Sequence, residues 1–215
     1  MITIRPFNKT DRAALRQICC DVADRGEKIE NFFPDREFAA DLLTSYYLDY
    51  EPDSTFVADV DGAVVGYING CLDNRRYGLA VMFLIIPKLI IKGLVRGVFF
   101  RREFLLIFKS MLKNWRRVFV WRKQSFHSHQ GHLHIGVAKG FRTQSIGQKL
   151  VRALLDYARQ NNIHELAASV HDGNTAACRF FEQLGFVARD QYPMMMAYGD
   201  SFKEYHSVSY VKSII

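Results

Sequence analysis

Residues 132–161 read HLHIGVAKGFRTQSIGQKLVRALLDYARQN, and this stretch decides the fold. HLHIGV alternates as a β-strand does, and KGFRTQS has the small and polar residues of a tight loop. A helix is predicted from Ile146 to Asn161, because its apolar residues recur at helical spacing. These are Leu150, Val151, Leu154, Leu155 and Ala158. The loop therefore lies between a strand and the N-terminus of a helix.

The loop at 142–147 has the chemistry of a diphosphate site. Backbone N–H groups in the first turn of a helix have no intrahelical partner, and the helix dipole is positive at that end. The small residues Ser145 and Gly147 allow phosphates to approach the backbone closely. This pattern predicts a bound diphosphate, and by itself it does not distinguish coenzyme A from a nucleotide.

The flanking segments predict an α+β fold with helices and hairpins around one sheet. Asp61-Gly62 is a strong hairpin turn. Before the loop we predict a strand at 2–5, helices at 11–24 and 35–48, and hairpin strands at 54–60 and 63–71. After it we predict a strand at 165–171, a helix at 174–184 that ends at Gly185, and strands at 186–192 and 194–198.

Composition predicts one cytoplasmic domain that spans residues 1–215. Apolar residues make up 49% of the chain, which is enough for a sizeable core. The four cysteines form no CxxC pair, so the pattern favours neither a disulfide framework nor a zinc site. The histidines at 127–134 have no cysteine or carboxylate partners at ligand spacing, and no metal is expected. The N-terminus has no apolar region typical of a signal peptide.

A basic insertion is predicted at 75–127. Thirteen Lys and Arg but only one acidic residue, Glu103, lie between Arg75 and Lys123, so this segment carries +12 and the rest of the chain −5. Helical spacing predicts two or three amphipathic helices, and no apolar run approaches the ~20 residues of a membrane span. The concentration of charge in one segment argues against a general nucleic-acid binder.

Three interpretations of the insertion remain open. It could be a lid that closes over an acceptor site, a surface for a homodimer, or an amphipathic element that lies on a membrane through 75–123. We favour the lid.

Two motifs resemble those of the GNAT acyltransferase superfamily. HIGVAKGFRTQSIGQKLVRALLDYA is similar to motif A, with Arg142 and Gly147 at conserved positions of its core and Ser145 where the first glycine usually stands. NTAACRFFEQLGF is similar to motif B, which it matches at Asn174, Ala177, Phe181, Gly185 and Phe186. The likeness covers about 1–74 and 131–200. A weaker one, to bacterial GNATs related to the acetyltransferase-like domain of O-GlcNAcase, includes the insertion.

The resemblance implies a GNAT fold and acetyl-CoA as cosubstrate. The fold is a mixed, mostly antiparallel sheet of six to seven strands flanked by helices, here with a helical insertion between strands 3 and 4. The backbone amides that would hold the pyrophosphate belong to Arg142, Thr143, Gln144, Ser145, Ile146 and Gly147. Gly136 and Val137 would pair with the pantetheine arm, and Asn174 would contact that arm from the other side.

The resemblance also implies direct attack by an amine on the thioester. His132 and His134 lie two residues apart on one strand, so they share a face, and a neutral imidazole suits a general base. Phe181 stands where the family often has the tyrosine that protonates the CoA thiolate, and we count it among the cofactor-binding residues. The proton would then come from Tyr192, Tyr198 or water, or the thiolate would leave unassisted.

These observations predict an acetyl-CoA-dependent N-acetyltransferase that acts on a small molecule or peptide amine. Two alternatives come from other classes. One is a non-catalytic acyl-CoA-binding regulator, which Phe181 and Ser145 suggest. The other is a peripheral membrane interaction protein, which the basic insertion suggests.

Overall fold

Seven strands form one mixed sheet in the computed structural model, which describes residues 1–23, 26, 28–31, 33, 35–113, 129–142, 145–198 and 201–214. The strands are β1 Ile2–Pro6, β2 Thr55–Val60, β3 Ala63–Cys71, β4 Gly131–Val137, β5 Glu165–His171, β6 Val187–Tyr198 and β7 Ser201–Ser213. Their order across the sheet is β1-β2-β3-β4-β5-β7-β6, and only β4 and β5 pair in parallel. The predicted α+β GNAT fold is confirmed.

Helices pack on both faces of this sheet. They are α1 Arg12–Val22, α2 Arg36–Asp49, α3 Asn74–Ala80, α4 Ile86–Val95, α5 Arg102–Lys113, α6 Ile146–Gln160 and α7 Thr175–Gln183. The main core lies under α6, whose Leu150, Val151 and Leu154 are fully buried against the sheet. On the other face, Leu15 and Cys19 of α1 are fully buried with Tyr67 of β3.

The C-terminal part of the sheet differs from the sequence prediction. Two strands were expected at 186–192 and 194–198, but β6 is one continuous strand that runs through Pro193, and the last strand, β7, was not predicted. β6 lies at the edge of the sheet, where a proline costs little because fewer ladder hydrogen bonds depend on its N–H. β7 inserts between β5 and β6.

The insertion begins as predicted with helices, and the first of them runs past Pro87. α3 continues through a π-helical segment, Val81–Ile85, into α4, and Pro87 lies in the first turn of α4. A proline is tolerated there because its missing N–H is not needed at that position. The segment from Asn74 to Val95 is therefore 22 residues of helix, long and apolar enough by those two criteria alone to cross a membrane. The prediction concerned uninterrupted apolar runs, which are short here, and it did not count helix that continues past Lys88.

Gly97 reverses the chain between α4 and α5. Its φ is +64°, a conformation that glycine adopts without the steric penalty of a side chain. Phe99 then folds back onto α4, where a Cβ on Gly93 would lie 2.5 Å from its ring. A short turn, Val98–Phe100, consequently packs between α4 and α5. Residues 114–128, which complete the predicted insertion, lie outside the described residues.

Candidate active site

The site is a cleft that opens where β4 and β5 separate. The two strands are paired only at their starts, Gly131 with Leu166 and His132 with Ala167. β4 remains paired with β3 up to Val137, so beyond His132 its other edge has no strand partner among the described residues. A gap of this kind between parallel strands leaves backbone N–H and C=O groups for an extended ligand.

Two adjoining cavities occupy the cleft. The outer cavity has a volume of about 510 Å³ and lies at the N-terminus of α6, lined by Gly136, Val137, Arg142, Ser145, Gly147 and Phe180 among others. The inner cavity has a volume of about 310 Å³ and is lined by Tyr67, His134, His171, Asn174, Phe181 and Tyr205 among others. Ile135 and Asn174 line both, so the two cavities form one path along β4.

The outer cavity is suited to a phosphate group. Ser145 is the N-cap residue of α6, but its side chain makes no capping hydrogen bond, so the amides of the first turn remain for a ligand. No acidic side chain is among the lining residues. A Cβ at Gly147 would lie 3.0 Å from the Phe180 ring, so a larger residue would fill the cradle.

Ser145 also explains why motif A usually has glycine at its position. Its φ is +57°, in the left-handed region that costs a non-glycine residue roughly 1 kcal/mol or more. Of the six loop residues predicted to hold the pyrophosphate, Arg142, Ser145 and Gly147 line the outer cavity, whereas the side chain of Ile146 is fully buried in the core. Thr143 and Gln144 fall outside the described residues.

Arg142 closes one side of the outer cavity. Its Nε donates to the carbonyl of Val137 at the end of β4, at 3.2 Å, and its Nη2 donates to the carbonyl of Gly26, at 3.3 Å. The side chain thus connects β4 to the segment between α1 and α2. Gly26 has φ +93°, and a Cβ there would lie 2.5 Å from the guanidinium.

Asn174 has a structural role and also faces the cleft. Its Oδ1 accepts a hydrogen bond from the amide of Ala177 at 3.2 Å and so caps α7. Its side-chain NH₂ has no hydrogen-bond partner in the part of the chain that the structure describes, and the residue lines both cavities. The amide can therefore donate to a ligand while the oxygen caps the helix.

The two predicted histidines are placed differently. His134 lines the inner cavity, whereas His132 is not among the lining residues of either cavity. His132 Nδ1 lies 2.5 Å from Asn74 Oδ1 and Nε2 lies 2.6 Å from the hydroxyl of Tyr47. The Tyr77 ring packs edge-on against the imidazole at 4.7 Å. His132 is held as a neutral ring with both nitrogens engaged.

His134 is connected to a second buried tyrosine. Its Nδ1 lies 3.3 Å from the hydroxyl of Tyr67, which also hydrogen-bonds Cys19. Burial lowers the pKa of His134 to about 4, so the ring is neutral at physiological pH. Nε2 has no hydrogen-bond partner among the described residues. Tyr67 approaches because residue 136 is glycine: a Cβ there would lie 2.6 Å from the Tyr67 ring.

No thiolate nucleophile is available at this site. Cys19 lines the inner cavity, but burial raises the pKa of its thiol to about 12, so that the group stays protonated. Histidine, tyrosine, serine and asparagine are the polar side chains among the inner-cavity residues. The arrangement can move protons and orient a carbonyl.

The structure does not bring Tyr192 to the cleft. Tyr192 lies on the edge strand β6 opposite Ser207, and it lines neither cavity. Tyr205 of β7 lines the inner cavity together with Phe181, and its ring stacks on His171 at 4.3 Å. Sequence reasoning missed Tyr205 because β7 itself was not predicted. The side chain of Tyr198 lies outside the described residues.

Comparisons with known proteins agree with this geometry. The model of the acetyltransferase (GNAT) family matches residues 108–186, which include both motifs. No curated protein sequence shows significant similarity to the chain. Among the described residues, no group of three or more His, Cys, Asp and Glu side chains is placed to hold a metal ion.

Several solved structures share the fold over the whole chain. SsHAT superposes with a TM-score of 0.73 at 22% identity, over 100% of this chain and 98% of that one. YncA from Salmonella typhimurium, a putative acetyltransferase solved with acetyl-CoA, gives 0.61 at 18% identity, over 100% and 95%. The ribosomal-protein-S18-alanine N-acetyltransferase of Escherichia coli gives 0.55 at 16% identity, over 100% and 94%. The resemblance to the GNAT superfamily is confirmed.

Proposed function

We propose that this chain, whose fold and motifs are similar to those of GNAT acetyltransferases, uses acetyl-CoA to acetylate an amine of a small molecule or peptide. The observation that carries the proposal is the cleft between β4 and β5, which runs from an uncapped helix N-terminus to a neutral histidine. The cosubstrate supplies an activated acetyl thioester. Everything else in the reaction is positioning and proton transfer by this chain.

The outer cavity would hold the diphosphate and the arm of acetyl-CoA. The first-turn amides of α6 donate to the diphosphate, and the unpaired edge of β4 at Gly136 and Val137 pairs with the pantetheine amides. Asn174 donates from the opposite wall. These contacts fix the thioester in the inner cavity, where orientation of two reactants contributes much of the rate.

His134 is the residue that we assign as general base. For Nε2 to accept a proton, Nδ1 must carry the hydrogen and donate it to the Tyr67 hydroxyl, which in turn donates to Cys19. Tyr67 is therefore a positioning residue that selects the tautomer. Burial raises the pKa of Tyr67 well above its ordinary value, so the phenol keeps its proton. His132, which the cleft does not reach, has a structural role.

Tyr205 is the residue that we assign as general acid for the departing thiolate. Tyr205 and Phe181 both line the inner cavity, and Tyr67, the other tyrosine among its lining residues, is assigned to the positioning of His134. A phenol is a suitable proton donor to a thiolate, because a thiol is comparably acidic. The missing tyrosine of motif B is then replaced from another strand.

The first test is calorimetric titration of the purified protein with acetyl-CoA, coenzyme A and ATP. Micromolar binding of acetyl-CoA and no binding of ATP are expected, followed by a screen of amines for thiol release. Binding without turnover by any amine would favour a non-catalytic acyl-CoA-binding regulator. No binding of either CoA species would refute the assignment of the cleft.

The four free cysteines are consistent with a reducing compartment, and we propose that the protein acts in the cytoplasm. The acceptor enters from the inner cavity, which has no carboxylate among its lining residues. Its recognition therefore depends on hydrogen bonds and aromatic contacts rather than on a direct ion pair.

A further inference from the structure

The insertion exposes many large apolar side chains on its outward side, which we call the apolar face. Fifteen large apolar side chains are exposed among the described residues, and twelve of them lie between Leu79 and Leu112. Phe83 is 64% exposed, Ile91 65% and Val95 83%. Soluble monomers rarely leave so many large apolar side chains together in water, so this face marks an interaction site.

The helix packs on the rest of the molecule through its other side, not through this face. The opposite side of this helix, at Ile85 in the π-helical segment and Leu89 in α4, is buried with Phe38, Tyr46 and Tyr47 of α2. Leu79, Phe83, Ile90 and Leu94 recur at spacings of four and seven residues on the outer side. The helix is thus apolar on both sides but is covered on only one.

Basic side chains accompany the apolar face. Arg75, Arg76, Lys88, Arg102 and Lys109 are exposed along α3, α4 and α5, where Glu103 is the acidic residue. We propose that this face docks on the surface of a bilayer that contains anionic lipid. Apolar side chains enter the boundary between headgroups and acyl chains, and the Lys and Arg ring it against the phosphates. A second copy of the chain is a poorer partner, because two such faces repel each other by charge.

The helix from Asn74 to Val95 lies on the bilayer rather than across it. Asp41 of α2 pairs with Lys92, and Asp35 of α2 pairs with Arg96 at 2.9 Å. Insertion across a membrane would break these ion pairs and expose the packed side of α4 together with Phe38 and Tyr47. A parallel orientation keeps them intact and immerses only the outer stripe.

The test is sedimentation of the full chain with vesicles of neutral phosphatidylcholine, with and without 30% phosphatidylglycerol, at low and high salt. Ile91→Glu places a carboxylate in the centre of the face. Val187→Glu is the matched control, because Val187 is an aliphatic residue of nearly equal exposure, 64%, on β6. Melting temperature and acetyl-CoA affinity are measured for each variant to show that it is folded.

Wild type and Val187→Glu are expected to sediment with anionic vesicles at low salt, and at least tenfold less with neutral vesicles or at high salt. Ile91→Glu is expected to bind anionic vesicles at least tenfold more weakly. No sedimentation of the wild type, or equal binding by Ile91→Glu, would overturn the proposal. A dimer in light scattering that Ile91→Glu dissociates, without vesicle binding, would assign the face to a second copy. Acetyl-CoA affinity is a separate readout, so failure here leaves the proposed function intact.

Discussion

Acidification should destabilise this protein through the two histidines of β4. Burial lowers the pKa of His132 to about 3, with His134 as a secondary cause, and burial lowers that of His134 to about 4, from an ordinary value near 6.5. The folded state therefore keeps both rings neutral below pH 6.5, where the unfolded chain takes up protons. Stability is full above about pH 6.5 and falls as the pH moves from there towards 4.

The size of this loss of stability follows from the difference between the pH and the pKa of histidine in the unfolded chain. At pH 5 the medium is about 1.5 units below the unfolded pKa and above both folded values, so each histidine costs about 2 kcal/mol relative to neutral pH. The two together cost about 4 kcal/mol. This is a large fraction of the 5–15 kcal/mol by which domains are typically stable.

Urea unfolding of wild type at pH 7.5 and at pH 5 measures this loss, and His132→Gln isolates one half of it. The variant is less stable at neutral pH, because it disturbs contacts with Tyr47 and Asn74. Nevertheless, the free energy of unfolding that the variant loses between pH 7.5 and pH 5 should be about 2 kcal/mol smaller than the loss in wild type. His164→Gln, at an exposed position, is the control and should leave the difference unchanged. If wild type and His132→Gln lose the same free energy of unfolding between pH 7.5 and pH 5, His132 is not a neutral, buried residue.

Three further predictions concern the cleft. Gly147→Asp should weaken acetyl-CoA binding at least a hundredfold in calorimetry, because it adds bulk against Phe180 and a negative charge beside the diphosphate. The control is Gly140→Asp, which should bind acetyl-CoA normally because a Cβ at residue 140 meets nothing within 4 Å. Tyr205→Phe should lower kcat by about 10²-fold with unchanged acetyl-CoA affinity, whereas Tyr192→Phe should match wild type in the same thiol-release assay. Adding Phe181→Tyr to Tyr205→Phe should recover part of the rate, because it restores a phenol to the inner cavity; no recovery would argue against a tyrosine acid.

The central part of the fold was predictable because its signals are local. The period of two in 131–137, the apolar stripe of α6 and the Asp61-Gly62 turn each act over a few residues, and the structure has these elements within one or two residues of their predicted ends. β7 was missed because its sequence, SFKEYHSVSYVKS, mixes polar and aromatic residues. Its stability comes from pairing with β5 and β6 on both sides, which no local pattern reveals.

The cofactor end of the site was predictable for the same reason, and the catalytic end was not. A loop before a helix carries its chemistry in its own backbone, so the sequence of 142–147 is sufficient. The difference between His132 and His134 depends on Tyr47 and Tyr67, which are 85 and 67 residues away in the chain. Period two puts both imidazoles on one face of β4, but α2 and α3 cover one of them and the cleft reaches the other.

The insertion contains or contacts the same residues that give His132 and His134 their different environments. α3 begins at Asn74, whose side chain accepts from His132 and donates to the carbonyl of His129 at 2.8 Å. Tyr77, one turn later, packs on the His132 ring. Tyr47 of α2 contacts the same imidazole. Asp41 of α2 and Asp35, its N-cap residue, pair with Lys92 and Arg96 of the insertion. A force on α4 and α5 therefore acts on β4 through α2 and α3. It acts at His132, which lies two residues from the proposed base. For this reason His132 contributes more by holding the insertion against the sheet than it could by exchanging a proton.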